Sequence, residues 1–165
     1  MRILGVDPGY AIVGWGVLDY IGNRFSPVAF GAVTTHANIP FNTRLEQVYD
    51  GLVKIINDYK PEAMSIEKLF FNTNAKTAID VSQARGVILL AAKKAGIDIF
   101  EYTPLQVKQS VVGYGRAEKN QVQEMTRIML SLDKVPKPDD TADALALAIC
   151  HGHASGSYLA RLNIK

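Results

Sequence analysis

The chain has 165 residues, 48% apolar and 21% charged, a balance that excludes intrinsic disorder and leaves room for a real core in one domain, residues 1–165. Its net charge of +2 neither establishes nor excludes a polyanionic partner. A single cysteine, Cys150, excludes an internal disulfide and points to a reducing cytoplasm, and the first apolar run stops at Asp7, too short for a signal peptide or a membrane span.

In chain order, residues 2–7 form a short apolar run stopped by Pro8-Gly9, a turn pair. Residues 12–20, rich in Val, Gly and aromatics, are expected as a second strand. A tight turn at 21–24 returns the chain as a third strand over 25–34, giving an antiparallel meander. Leu45, Val48, Leu52, Ile55, Ile56 and Tyr59 then recur at helical spacing. That predicts an amphipathic helix over 42–59, capped by Asn42 or Thr43 and ended by Pro61.

Residues 63–67 read as a buried strand. A loop over 68–74 leads to a helix over 75–95, stopped by Gly96. Residues 97–102 are a fifth strand. Thr103-Pro104 opens a short helix, Thr as cap and Pro at the first helical position. After the break Gly113-Tyr114-Gly115 come helices over 118–132 and 140–151. Three antiparallel strands followed by alternating helices and strands predict an α/β fold: a five-stranded mixed sheet with helices on both faces.

Four acids stand at the ends of these segments. Asp7 ends the first strand and Glu67 the fourth; Asp140 and Asp143, three apart, share a face of the last helix. Open α/β sheets place their sites at the carboxyl edge of the strands. If the last helix begins over strands one and four, all four acids converge as oxygen ligands for hard divalent cations, a device for cutting phosphodiesters. Taken singly each has a plainer reading: Asp7 as a turn residue, Glu67 as a solvated strand end, Asp139 or Asp140 as a cap, Asp143 as a partner of the helix dipole. Discounting the four acids leaves a clear excess of basic residues.

The segments VDPG, IEKLFFNTNAKTAIDVSQARGVILLAA, TPLQVKQSVVGYGRAEKNQVQ and DDTADALALAI, in this order and over nearly the whole chain, resemble the RuvC family of bacterial Holliday-junction resolvases. The resemblance implies a ribonuclease H-like fold and a homodimer that nicks four-way DNA junctions symmetrically. It implies two Mg²⁺ per subunit, replaceable by Mn²⁺, and products with 5′-phosphate and 3′-hydroxyl ends. It places Asp7, Glu67, Asp140 and Asp143 at the catalytic, metal-binding positions. It places Phe70 where an aromatic stacks on an unpaired base, and Lys108 and Lys119 at positions near the scissile phosphate. Arg116 and Lys76 are weaker candidates for the same DNA surface, and the family implies the RuvA and RuvB branch-migration motor as a partner.

Other residues carry less. Arg85 fits either DNA contact or helix packing. His151 and His153 are expected at the end of the last helix as capping or solvated side chains, and Cys150 as a buried, inert thiol. The helix over 75–95, with Ala78, Ala84, Gly86 and Ala91, is a candidate dimer face. Three rival readings share parts of this pattern. A nuclease of the same fold acting on RNA or RNA–DNA hybrids would need neither the basic AEK segment nor the aromatic loop. A sugar-kinase or actin-like ATPase would need a second nucleotide-binding half. A non-catalytic DNA-binding module would be expected to have lost carboxylates.

Overall fold

The first strand, β1 (Arg2–Asp7), pairs antiparallel with β2 (Ile12–Ile21), which pairs antiparallel with β3 (Arg24–Thr34). The computed structural model describes residues 1–68 and 75–156. Phe70 therefore lies outside the described residues, as does the side chain of Lys76. Gly22 and Asn23 both take positive φ between β2 and β3, the backbone that a two-residue hairpin needs to match strand twist. Opposite Val17 and Leu18 the register slips past Val28, beside Pro27. Pro cannot donate to a ladder and is tolerated there because β3 is an edge strand.

β4 (Ala63–Glu67) runs parallel to β1, and β5 (Asp98–Tyr102) parallel to β4. The strand order is β3-β2-β1-β4-β5, the mixed sheet expected. Between β3 and β4 lies α1 (Phe41–Tyr59), and between β4 and β5 lies α2 (Ala75–Lys94). After β5 come α3 (Pro104–Val112), α4 (Lys119–Met129) and α5 (Asp139–Gly156).

Alternation along the strands sorts two cores. Leu4, Val6, Met64 and Ile66 point to one face and pack with Val48, Leu52 and Ile56 of α1 and Ile88 and Ala92 of α2. Ile3 and Leu18 belong to the opposite cluster, with Val107 of α3, Val122 of α4 and Leu145 and Ile149 of α5. Each fully buried side chain of this kind contributes roughly 1.5–3 kcal/mol. Helices thus cover both faces.

Several boundaries differ from expectation. The cap of α1 is neither Asn42 nor Thr43. The helix starts at Phe41 after Pro40, with no side-chain cap, and Phe41 sets its ring edge-on to Tyr10 at 5.8 Å. Packing of an aromatic fixes the start there, not a polar cap. The helix predicted over 118–132 stops at Met129. The last helix starts one residue early, at Asp139, and continues through His151 and His153 to Gly156. Gly152 resembles a stop signal in sequence. Here a β-carbon at Gly152 would lie 2.3 Å from the Phe25 ring, so its smallness lets the helix lie against the β2–β3 hairpin. The small residues of α2 also divide: Ala84 and Ala91 are buried in the core and do not form a free face.

Candidate active site

The alternation that builds the cores also aims the acids. In β1, Ile3, Gly5 and Asp7 share one face; in β4, Ala63, Ser65 and Glu67 do so. Ser65 marks that face as the α5 side, because its hydroxyl donates to the Leu147 carbonyl at 2.7 Å. Val6 stands opposite Ile66 in the parallel pair, so Asp7 and Glu67 end side by side at the carboxyl edge.

Helix α5 delivers the other two acids by lying unusually close to the sheet. A β-carbon on Gly5 would meet the Ala144 carbonyl oxygen at 1.9 Å, and one on Gly14 the Asp140 carbonyl oxygen at 2.0 Å. Gly14 is also the register partner of Asp7. Only glycine at these two positions permits the approach that sets the start of α5 over the end of β1. Thr141 fixes the same end by donating to the Gly31 carbonyl at 3.0 Å.

The electrostatics follow from this crowding. Burial first, then the neighbouring Glu67, Asp143 and Asp140, pushes the Asp7 carboxyl up to about 8. Glu67 is raised for the same reasons, burial and then Asp143, and Lys119 opposes both shifts. Lys119, the first residue of α4, sets its ammonium 2.7 Å from Asp143 Oδ2. Gln123 Nε2 donates to Asp143 Oδ1 at 3.3 Å. Asp7, Glu67, Asp143, Lys108 and Lys119 line one cleft of about 330 Å³ over an apolar floor that includes Val107, Val122 and Leu147.

Of the sequence candidates, then, Asp7, Glu67, Asp143, Lys108 and Lys119 are brought together. Asp140 stands beside the cleft and acts on Asp7 through its charge. Arg116 is exposed and is not among the cleft residues. Among the described residues no three acids or histidines yet converge on one point as metal ligands do. Asp143 is turned toward Lys119 and Gln123. The donor set is nevertheless all carboxylate oxygen, in a recess where negative charge is costly enough to raise Asp7 to about 8. Hard divalent cations suit that set.

One side chain behaves otherwise than the sequence suggested, one was left open by it, and one was missed. His151 is buried inside α5, not solvated at its end. Its Nδ1 meets the Tyr102 hydroxyl at 2.8 Å, its ring lies 4.2 Å from that of Phe100, and burial pushes it down to about 4. Tertiary burial of its face by β5 overrides the polarity of the residue. Arg85 donates from Nε to the Glu67 carbonyl at 3.3 Å and pairs with the Glu101 carboxylate, which favours its packing role. Gln123 was not singled out, although a glutamine in the same helical stripe as Val122 and Thr126 is the signal that would have found it. Cys150 is buried with its thiol pushed up to about 11 by burial, inert as expected. His153 stays near the surface, 3.0 Å from the Ser110 hydroxyl.

Comparison with known proteins agrees with this geometry. Residues 3–151 match the family model described as crossover junction endodeoxyribonuclease RuvC. The chain belongs to the RuvC family. The relative in Ruminiclostridium cellulolyticum is 60% identical over 161 residues, covering 96% of this chain and 97% of that protein. The relative in Caldanaerobacter subterraneus is 56% identical and covers 98% of both. Both carry the name crossover junction endodeoxyribonuclease RuvC.

Among solved structures, Thermus thermophilus RuvC in complex with Holliday junction substrate superposes with a TM-score of 0.89 at 33% identity, over 98% of this chain and 96% of that one. The yeast mitochondrial Holliday junction resolvase shares the fold at 12% identity, with a TM-score of 0.66 over 91% of this chain and 78% of that one. The RuvC fold here is ribonuclease H-like, as the sequence implied.

Proposed function

We propose that this chain is a structure-selective endonuclease that resolves four-way DNA junctions by paired symmetric nicks, in recombination and DNA repair. The observation that carries this reading is the meeting of Asp7, Glu67 and Asp143 in one cleft, with Asp140 beside it and Lys108 and Lys119 on its wall, in a chain matched to the RuvC family over residues 3–151. Asp7, Glu67, Asp140 and Asp143 are the catalytic carboxylates and would hold two Mg²⁺ per subunit, with Mn²⁺ as a substitute. Bound divalent cations supply Lewis acidity and an activated water at neutral pH.

The protein's own part is placement and charge. Asp7, between Glu67 and the start of α5, is the acid on which Glu67, Asp143 and Asp140 all act through their charge, and it would be the central ligand. Lys108 and Lys119 neutralise the backbone phosphate beside the cut. Arg116 and Lys76 extend the contact to DNA, and Phe70 stacks on a base opened at the junction centre. No side chain is needed as a nucleophile, and the products carry 5′-phosphate and 3′-hydroxyl ends.

A junction presents two equivalent strands, and a two-fold homodimer supplies two equivalent sites. The face formed by Ile79, Gly86 and Leu90 supports α2 as the dimer contact. These residues share one side of the helix, Ile79 and Leu90 are more than half exposed, and space over Gly86 is open. Residues 1–165 act as one nuclease domain in the cytoplasm, with RuvA and RuvB delivering the junction; among the described residues no helix is long and apolar enough to cross a membrane. The test is to incubate the protein with a mobile four-way junction, a linear duplex and an RNA–DNA hybrid, each with Mg²⁺ or EDTA. Paired nicks in the junction with Mg²⁺ alone are expected. Preferential cutting of the hybrid overturns the reading in favour of a ribonuclease.

A further inference from the structure

Gln123 is a buried amide in a place where an apolar side chain would pack. It is 7% exposed, on α4, facing the seam with α5 beside Val122, Thr126 and Leu130. Burying an amide is unfavourable unless its donors find partners. The partner here is Asp143: Gln123 Nε2 donates to Oδ1, while Lys119 binds Oδ2. The Gln123 amide also lowers Asp139, after the larger effects of Lys137 and Lys119.

The two contacts on Asp143 differ in kind. Lys119 is a charged, 61% exposed side chain that lines the cleft with Asp143 and holds Oδ2, so a cation arriving there competes with it. Gln123 is neutral, buried and on the other oxygen, so it has no reason to leave. We infer that Gln123 is a positioning residue: it pins Asp143 Oδ1 through a neutral hydrogen bond so that Oδ2 remains aimed into the cleft for a divalent cation. The inference rests on the reading of Asp143 as a metal ligand. Partners of this outer kind commonly contribute tenfold or more to metal affinity by fixing the ligand's orientation.

The experiment is a calorimetric Mn²⁺ titration of the DNA-free protein for wild type, Gln123→Met, Gln123→Leu, Asp143→Asn and the Gln123→Met/Asp143→Asn double variant, with thermal midpoints taken in EDTA. Met preserves length and burial and removes the donor. Gln123→Met is expected to weaken Mn²⁺ binding about tenfold while melting in EDTA near the wild type, and Gln123→Leu to weaken it at least as much. In the Asp143→Asn background the Met substitution should have no further effect on Mn²⁺ binding, because its action runs through Asp143. Unchanged Mn²⁺ affinity in both folded Gln123 variants overturns the inference. So does an equal, additive loss with Asn at 143, which marks a packing role. If Asp143→Asn itself leaves Mn²⁺ binding intact, the reading of Asp143 as a ligand fails instead. Should Gln123→Met not fold, the Leu variant decides.

Discussion

Lys119 Nζ lies 2.7 Å from Asp143 Oδ2, tying the first residue of α4 to α5 across the cleft. In this arrangement the exposed ammonium of Lys119 is engaged by Asp143. A cation taken up by Asp143 would compete with Lys119 for that carboxylate and free more of its charge for a DNA phosphate. If Asp143 binds a cation, the ion pair would link metal uptake to the grip on DNA.

A salt titration reads that link. Each lysine that neutralises a phosphate steepens the dependence of affinity on salt by about one unit of slope. Lys108→Ala should lower the slope by about one in either EDTA or Ca²⁺. Lys119→Ala should lower it in Ca²⁺ and much less in EDTA, where Asp143 still holds the ammonium. Equal effects of the Lys119 change in both conditions would show that the pair with Asp143 does not restrain it.

Asp7→Asn should abolish junction cleavage and leave junction binding largely intact, because Asn keeps the shape and loses the charge. More than a few per cent of wild-type nicking, measured in single turnover with Mg²⁺, would remove Asp7 from the centre of the site.

The same substitution has a pH signature in EDTA. The Asp7 carboxyl is held at about 8 against 3.8 when unperturbed. Through that window the native state keeps a proton that the unfolded chain has released, so stability falls as pH rises and levels off above about 8. Glu67, also raised, acts in the same direction. His151 is held down at about 4 against 6.5; unfolding takes up its proton in that range, so its contribution rises with pH and is complete by 6.5. The two opposing trends offset one another at lower pH. Between pH 6.5 and 8 the carboxylate trend stands alone, and metal-free wild type should lose thermal stability there. Asp7→Asn should melt higher than wild type at pH 8, with the gap narrowing toward pH 4. Parallel melting curves for the two proteins across this range would contradict the charge crowding around Asp7.

Ca²⁺ should support junction binding without cutting. It accepts more ligands at longer distances than Mg²⁺, whose near-octahedral demand fixes the reacting geometry. The check is a gel-shift and cleavage series at matched ionic strength; efficient nicking in Ca²⁺ alone would call for another mechanism.

Phe70 and the dimer can be probed together. The protein should sediment as a dimer at concentrations that resolve junctions. Phe70→Ala should slow cleavage of a fully paired junction more than that of one with mismatched central pairs, since mismatches remove part of the cost of opening. Stacking of this kind is worth roughly 1–3 kcal/mol per base. Equal losses on the two substrates would end the stacking role, and full activity from a monomer would end the symmetric model.

Much of this architecture is legible in the chain before it folds. Apolar alternation and turn residues place β1, β2 and β3 within one residue of their observed ends, and Thr103-Pro104 marks the start of α3 because its cap is local chemistry: the Thr103 hydroxyl accepts from the Gln106 amide. The acids Asp7 and Glu67 are visible as charges ending apolar runs and Asp143 as one opening a run, and the period of two already puts Asp7 and Glu67 on the same sheet face as Gly5 and Ser65. What the sequence leaves open is which residues meet. That Asp7 stands beside Glu67 depends on β4 inserting next to β1, a pairing across about sixty residues of chain. That Asp143 faces Gln123 and Lys119, that Arg85 braces the Glu67 end of β4, and that His151 turns inward to Tyr102 depend on how helices settle on the sheet. Periodicity is a property of neighbours along the chain; partnership is settled only when distant faces pack, and there close approach at Gly5, Gly14 and Gly152 decides the outcome.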